Sequence, residues 1–284
     1  MTGKVDLHIH TSVSDGRFSP EEIVGQAVKL GVNTLAICDH DNIDGVIPAM
    51  EAAAAFPQLR VIPGVEISTY APGSEVHILG YFMDVNDSRL KAALADSRNS
   101  RLGRAKAMIA RLNKLGIDIG WQQVKEIAGD STVGRPHIAR AMLEKGYIKT
   151  FNEAFDKYIG LVGPAYVERH KLTPSQAVTL VKEAKGLPVL AHPFTVNNPQ
   201  ALMVELKAAG LAGIEAYYDN YSADKRNELA RIAARHSLIA TGGSDYHGID
   251  ASTETMLGDA DVPAECAEKL LALAGRQGLK PANL

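Results

Sequence analysis

Short runs of apolar residues recur along the chain, and each is followed by a segment with helical periodicity. The runs are rich in Val, Ile and Leu, and their continuous hydrophobicity is typical of strands covered on both faces. They are VDLHIH, NTLAICDH, RVIPGVEIST, EVHILGYF, LPVLAHPF, GIEAYY and SLIATGGSDYH. The pattern predicts an α/β protein with a parallel sheet, in an incomplete barrel related to the (β/α)8 type with roughly seven strands.

The first predicted helix has clear start and stop signals. Ser19 is a typical N-cap, Pro20 suits the first helical position, and Glu22 lies three residues after Ser19, as in a capping box. Gly31 then predicts the end of the helix. We therefore expect a βα unit that leads into the next strand, which ends at Asp39 and His40.

The alternation of strands and helices is interrupted between Met83 and Leu187. The segments SRLGRAKAMIARLNKLG, QQVKEIAG and RPHIARAMLEKG have the periodicity of helices. We predict that residues 1–83 and 168–284 form the barrel and that residues 84–167 form a helical insert. A DNA-binding module is the alternative interpretation of these helices, although no segment has the recognisable pattern of a recognition helix.

Composition narrows the class of protein. The chain has 284 residues, of which 46% are hydrophobic and 22% charged, as in ordinary globular proteins. Cys38 and Cys266 are too few for a disulfide framework, and the first residues, MTGKVDLH, do not resemble a signal peptide. No apolar run approaches the roughly 20 residues that a membrane-spanning helix needs. We expect a cytoplasmic protein without a membrane partner.

The charge of the chain is unevenly distributed. The formal net charge is -3, but residues 98–150 contain eleven Lys or Arg against four Asp or Glu, which gives this segment +7. The overall charge argues against general nucleic-acid binding, whereas the basic segment is where an anionic partner is expected.

Histidines and acids accumulate at the ends of the predicted strands. Since residues two apart in a strand point to the same side, His8 and His10 can face one ion, and Asp245 and His247 repeat this spacing. The carboxyl ends of barrel strands meet at one face, where catalytic groups assemble. The candidate ligands at this face are His8, His10, Asp15, His40, Glu66, His77, His192, Asp245 and His247.

Nine donors are too many for one tetrahedral ion. They suit two to three divalent ions with a bridging carboxylate, for which Glu66 is our candidate because it is central in the chain order. Clustered cations can activate water for attack on a phosphate and neutralise the leaving oxygen, so no protein nucleophile is needed.

The motifs HIHTSVSDGRFSPEEIV, AICDHD, GVEIS, LAHP and GGSDYH together resemble the polymerase and histidinol phosphatase (PHP) family of metal-dependent phosphoesterases. The resemblance implies a distorted (β/α)7 barrel with up to three metals, Mn²⁺ favoured and Fe or Zn possible. It implies three ligand sets: His8, His10, Glu66 and Asp245; Asp15, His40 and His247; and Glu66, His77 and His192. Some family members have His where this chain has Asp15. The carboxylate of Asp15 is a harder metal ligand than an imidazole.

Within the family, the insert and the segment Val133–His137 resemble the branch that acts on nucleotides. The resemblance implies removal of the 3'-phosphate from nucleoside 3',5'-bisphosphates, and the alternative is 5'-3' exoribonuclease action on short 5'-phosphorylated RNA. Histidinol phosphate fits the basic insert less well. A metal-stabilised nucleic-acid-binding module is the non-enzymatic alternative, although no duplex DNA partner is expected.

Four residues are candidates for binding the anionic substrate. Arg135 and His137 lie where a helix is predicted to begin, and backbone N–H groups at such a position favour a phosphate. Arg17 and Lys171 are weaker candidates, since each is also explained as solvated surface charge. We also hypothesise that Thr11 and Asp39 orient neighbouring metal ligands. The tyrosines of YYDNY either stack on a base or pack in the core.

Overall fold

The computed structural model of the protein describes residues 3–72, 74–129, 133–168, 172–218, 221–249 and 254–279. The chain divides into two compact units, residues 1–94 with 172–284 and residues 95–171. The strands are β1 (Lys4–Ile9), β2 (Val32–Ile37), β3 (Arg60–Ala71), β4 (Ser74–Tyr81), β5 (Leu187–Leu190), β6 (Gly213–Tyr218) and β7 (Ile239–Gly243). The α-helices are α1 (Pro20–Lys29), α2 (Val46–Ala53), α3 (Ser88–Lys114), α4 (Trp121–Ala128), α5 (Arg135–Glu144), α6 (Phe151–Ala154), α7 (Pro174–Glu183), α8 (Pro199–Ala209), α9 (Ala223–Arg235) and α10 (Ala264–Arg276).

The seven strands form one nearly closed, barrel-like sheet in chain order. At the seam, Ile9 and Tyr246 form a parallel bridge. The N–H of His10 donates to the carbonyl of Tyr246 at 2.9 Å, and the N–H of Asp245 donates to the carbonyl of His8 at 2.9 Å. The expected distorted α/β barrel is confirmed, and the seam joins the two ends of the chain that carry the His-x-His and Asp-x-His sequences.

The expectation of a parallel sheet in which a helix follows every strand is wrong at one place, where β3 is followed by the strand β4. This strand is antiparallel to both β3 and β5, and it begins only three residues after β3 ends. An antiparallel pair needs only a tight connection, whereas parallel strands need a crossover. The apolar run EVHILGYF is continuous because β4 is buried within the sheet, so its hydrophobicity could not reveal its direction.

The predicted βα unit is present with its cap. Ser19 Oγ accepts the N–H of Glu22 at 3.2 Å, and Glu22 Oε2 accepts the N–H of Ser19 at 2.8 Å. Pro20 is the first residue of α1, and Gly31 follows the helix with φ +75°, a conformation that glycine adopts without steric cost. The cap at Ser19 therefore defines the end of the loop between β1 and α1, which carries Asp15.

The second unit is helical and has its own apolar core, which includes Met108, Leu112, Val124 and Ile138. Helices α4 and α5 occupy the predicted segments, whereas α3 begins at Ser88, earlier than its apolar pattern indicated. Across the described ranges, no helix is long and apolar enough to cross a membrane.

Candidate metal centre

The predicted metal-binding side chains come from six strands and the loops that follow them. They are His8 on β1, His10 and Asp15 after it, His40 after β2, Glu66 on β3, His77 on β4, His192 after β5, and Asp245 and His247 after β7. His77 lies in the first half of its strand, where it pairs with Ser68 of β3. Because β4 runs in the opposite direction, its first half lies at the same end of the barrel as the carboxyl ends of the parallel strands.

His8 and His10 illustrate how the strand pattern creates the site. Leu7 and Ile9 are fully buried in apolar clusters, while the alternate residues His8 and His10 point to the other side. The Nε2 atoms of the two histidines are 3.2 Å apart. Their rings thus converge, as the spacing of the sequence predicts.

The carboxylate of Glu66 lies at the centre of the cluster and is 1% exposed. Its Oε2 is 3.4 Å from His8 Nε2, 3.3 Å from His10 Nε2 and 2.9 Å from His40 Nδ1. Its Oε1 is 2.7 Å from His77 Nδ1 and 3.1 Å from His192 Nε2. The two oxygens therefore face two different sets of imidazoles, as a bridging ligand requires.

Asp15 and Asp245 lie on two other sides of the cluster. Asp245 Oδ1 is 3.0 Å from His10 Nε2 and 3.4 Å from His8 Nε2. Asp15 Oδ1 is 3.5 Å from His247 Nε2, and Asp15 Oδ2 is 3.8 Å from His40 Nε2. Asp245 has φ +55°, an uncommon conformation for a residue other than glycine.

Three groups of these donors have the geometry to hold metal ions, with ligand atoms within 4.8 Å of one another in each group. The groups are His8, His10, Glu66 and Asp245; His10, Asp15, His40 and His247; and His40, Glu66 and His77. His10, His40 and Glu66 each belong to two groups. In the third group His40 stands beside Glu66 and His77, where the family resemblance implies His192.

The donor chemistry fits metal ions for a second reason. Among the candidate metal ligands, all of which the structure describes, five buried atoms make no hydrogen bond: His10 Nδ1, Asp15 Oδ1, His40 Nδ1, Glu66 Oε2 and Asp245 Oδ1. A buried polar atom without a partner is destabilising, so these atoms need a cation or another ligand.

The cluster also sets the charges of its members. Burial alone would raise the pKa of Glu66, but His40, His77 and His8 outweigh it and hold that pKa well below its usual range. Burial lowers the pKa of His77 to about 4 against the opposing effect of Glu66. Burial also lowers the pKa of His10, but Asp245 and Glu66 outweigh it and raise that pKa to about 10. Because ionised carboxylates and neutral imidazoles are the forms that bind metal ions, His10 must release its proton when a metal ion binds.

Buried polar groups around the donors hold the donor-bearing loops. Asp39 accepts hydrogen bonds from Thr11 Oγ1 at 2.7 Å and Ser14 Oγ at 2.6 Å, which ties down the loop that carries Asp15. Asp6 accepts from Ser244 Oγ at 2.6 Å, next to Asp245. Asp6 was not among the residues predicted from the sequence, although an acid inside an apolar strand run is a usable signal.

Glu215 is a second residue that was not predicted from the sequence. It lies in the middle of β6, is fully buried, and its Oε1 is 3.0 Å from His8 Nδ1. The signal in the sequence is the single charged residue in the run GIEAYY, because a charge inside a buried strand needs a partner.

The candidate substrate residues are distributed over both units. Arg17 is exposed in the first unit, and its backbone N–H donates to the carbonyl of His247 at 2.7 Å. Arg135 opens α5 in the second unit and places its guanidinium 5.6 Å from the centre of the Phe155 ring. His137 Nδ1 accepts the N–H of Gly134 at 2.9 Å, so a phosphate contact by this ring would use Nε2. Lys171 lies outside the described residues.

The tyrosines near the strand end of β6 have structural contacts. Tyr218 donates from its hydroxyl to Asp245 Oδ2 at 3.0 Å, and the Tyr221 hydroxyl accepts the N–H of Phe194 at 2.8 Å. Asp219 and Asn220 lie outside the described residues. Tyr218 therefore supports a predicted metal ligand, a role that the sequence analysis did not assign to it.

An α/β barrel that gathers imidazoles and carboxylates at one end of its strands defines a metal-dependent enzyme. Residues 6–232 match the model of the PHP domain. A 5'-3' exoribonuclease of Haemophilus influenzae is 36% identical over 251 residues, which cover 87% of this chain and 91% of the relative. A 3',5'-nucleoside bisphosphate phosphatase of Chromobacterium violaceum is 32% identical over 289 residues, which cover 98% of this chain and 99% of the relative.

A solved structure from Bifidobacterium adolescentis, described as a candidate metal-dependent phosphoesterase, superimposes with a TM-score of 0.85. It is 31% identical, and the match covers 94% of this chain and 95% of that chain. The protein belongs to the PHP family. It is therefore a metal-dependent hydrolase of phosphate esters, and its histidine and carboxylate clusters are able to hold the metal ions.

Proposed function

We propose that this protein hydrolyses the 3'-phosphate of nucleoside 3',5'-bisphosphates and releases nucleoside 5'-monophosphates. The observation that carries the proposal is the chain of donor groups that share His10, His40 and Glu66. Shared donors would hold neighbouring cations close enough to act on one phosphate. The Chromobacterium violaceum relative, named as a 3',5'-nucleoside bisphosphate phosphatase, supports the choice of substrate because it matches nearly the whole chain.

The proposed ligand sets are His8, His10, Glu66 and Asp245; Asp15, His40 and His247; and Glu66, His77 and His192. Bound divalent cations, Mn²⁺ favoured and Fe or Zn²⁺ also suited to these donors, would activate water and stabilise the departing oxygen. Glu66 suits a bridging role because its two oxygens face different imidazoles. The buried hydrogen bonds of Asp39 and Asp6 hold the loops of Asp15 and Asp245 in place.

Residues other than the metal donors would bind the phosphates. Arg17 shares a loop with Asp15 and is exposed, so its guanidinium can contact a phosphate at the donor cluster. Arg135 and His137 would bind the second phosphate at the beginning of α5, where the helix dipole favours an anion. Contacts that hold one phosphate of the substrate would orient the bond to the other phosphate for cleavage.

A second candidate function is 5'-3' exoribonuclease activity, which the 36% identity to the Haemophilus influenzae relative favours. The chemistry of the two substrates is closely related. In both, water attacks the phosphorus attached to O3' of a nucleotide that carries a 5'-phosphate, the P–O3' bond breaks, and O3' gains a proton. The difference lies only in the group that remains on phosphorus: hydroxyl in the bisphosphate, the rest of the chain in RNA.

The experiment that separates these activities compares adenosine 3',5'-bisphosphate with a short 5'-phosphorylated RNA, each with and without added Mn²⁺. We expect chelator-sensitive release of inorganic phosphate and 5'-AMP from the bisphosphate. Faster release of successive 5'-monophosphates from the RNA would favour the exoribonuclease. Hydrolysis of neither substrate by metal-loaded protein would contradict both and favour a non-nucleotide ester such as histidinol phosphate.

Arg135→Ala is expected to raise KM for the bisphosphate by about 10- to 100-fold, since a hydrogen bond to a charged group contributes about 1.5–3 kcal/mol. The KM for a small ester with a single phosphate should change little, because that substrate has no second phosphate. Steady-state kinetics on both substrates provides the measurement. Arg140→Ala, an exposed arginine of the same helix that pairs with Glu144, is the matched control. Equal losses on both esters would show that Arg135 does not bind the second phosphate.

A further inference from the structure

The buried carboxylate of Glu215 joins two of the candidate metal-binding residues. It lies on β6, and the side chain is 0% exposed. Its Oε1 is 3.0 Å from His8 Nδ1, and its Oε2 accepts the backbone N–H of His192 at 2.8 Å. One carboxylate therefore connects a donor of the first strand with a donor that follows the fifth.

The contact with His8 determines which ring nitrogen faces the cluster. A carboxylate accepts a hydrogen bond, so it favours the tautomer of His8 that carries its proton on Nδ1. The lone pair then lies on Nε2, which is 3.4 Å from both Glu66 Oε2 and Asp245 Oδ1. In this tautomer His8 presents a metal-binding atom to its donor group.

The contact with His192 stabilises an unusual backbone conformation. His192 has φ +27° and ψ 62°, in a region that residues with a side chain rarely adopt. The accepted N–H holds the peptide in this conformation, in which His192 Nε2 is 3.1 Å from Glu66 Oε1. Glu215 thus influences the orientation of both histidines toward Glu66.

We propose that Glu215 is a positioning residue of the metal centre, which fixes the Nδ1-protonated tautomer of His8 and holds the His192 loop without itself binding metal. The proposal depends on the metal centre and not on the identity of the substrate. A glutamine at this position has a single acceptor oxygen for two donors. Its amide would face either the backbone N–H of His192 or the Nδ1 of His8, and in the second case it would favour the tautomer that blocks Nε2.

The test measures Mn²⁺ binding to Glu215→Gln by equilibrium dialysis at buffered free metal. We expect the affinity of the His8 group to fall roughly 10- to 100-fold, as for other residues that orient metal ligands. At a free Mn²⁺ concentration that just saturates the parent protein, the variant should bind less metal per chain. The His10–Asp15–His40–His247 group contains neither His8 nor His192 and should bind metal as in the parent protein.

Tyr81→Phe is the matched control. Tyr81 is also fully buried in the barrel unit, and its hydroxyl donates to the carbonyl of Leu7 at 2.8 Å, so its loss should lower stability without changing Mn²⁺ affinity. A Glu215→Gln protein that is less stable but binds Mn²⁺ as tightly as the parent would overturn the proposal.

A second measurement uses the unaltered chain, so that it stands even if Glu215→Gln does not fold. Long-range ¹⁵N–¹H spectra of the Zn²⁺-loaded protein should show His8 ligated through Nε2 and protonated at Nδ1. Ligation of His8 through Nδ1 would contradict the role of Glu215.

Discussion

Asp245→Asn is expected to lower kcat by roughly 100- to 1000-fold on any phosphate ester, the scale on which removal of one electrostatic group slows an enzyme. Asp245 Oδ1 faces the Nε2 atoms of His10 and His8. It is buried and makes no hydrogen bond, so it is suited to bind a cation. Asparagine has nearly the same shape but no charge, and its amide could donate to an imidazole Nε2 that should bind metal. Metal content and turnover should therefore fall together.

The fold should tolerate this substitution. Asp245 has φ +55°, and asparagine is among the few residues that adopt this conformation readily. Asp259→Asn makes the same chemical change at an exposed residue that pairs with Lys4, and it should leave kcat and bound metal unchanged. Full turnover in Asp245→Asn, measured alongside metal content on the same sample, would refute the proposed assignment of this ligand.

The sequence was most informative where a residue's role depends on its own strand. The spacing of His8 and His10 predicted their convergence because alternation within one strand is a local property. The capping box of α1 was likewise visible, since Ser19 and Glu22 are neighbours in the chain. The barrel class followed from the number and the apolar character of the strand runs.

Features that depend on partners distant in the chain could not be predicted. The direction of β4 is set by its pairing with β3 and β5, and its apolar pattern is the same in either direction. Glu215 meets His8 across 207 residues, so its partner is visible only after the barrel forms. The hydrogen bond between Tyr218 and Asp245 is likewise visible only in the folded barrel, because the two residues lie at the ends of the adjacent strands β6 and β7.

Removal of metal by a chelator is expected to abolish phosphate release and to lower the melting temperature. A ligand that binds only the folded state adds about 2.7 kcal/mol per site at a concentration of 100 times its Kd. For domains of about 150–250 residues, each kcal/mol corresponds to a change of roughly 2–4 °C, so each saturated site should add about 5–10 °C.

The physical reason is that the cluster places unpartnered donor atoms in a buried site. Without a cation, atoms such as Glu66 Oε2 and Asp15 Oδ1 are removed from water and have no hydrogen-bond partner to compensate. Calorimetry of metal-free and Mn²⁺-loaded samples measures the difference, and readdition of Mn²⁺ should restore both stability and turnover. In Asp245→Asn the rise in melting temperature on adding Mn²⁺ should be smaller, since one of the donor groups has lost a charged ligand. A melting temperature and a turnover rate that both withstand chelation would show that these nine donors do not hold an exchangeable metal centre.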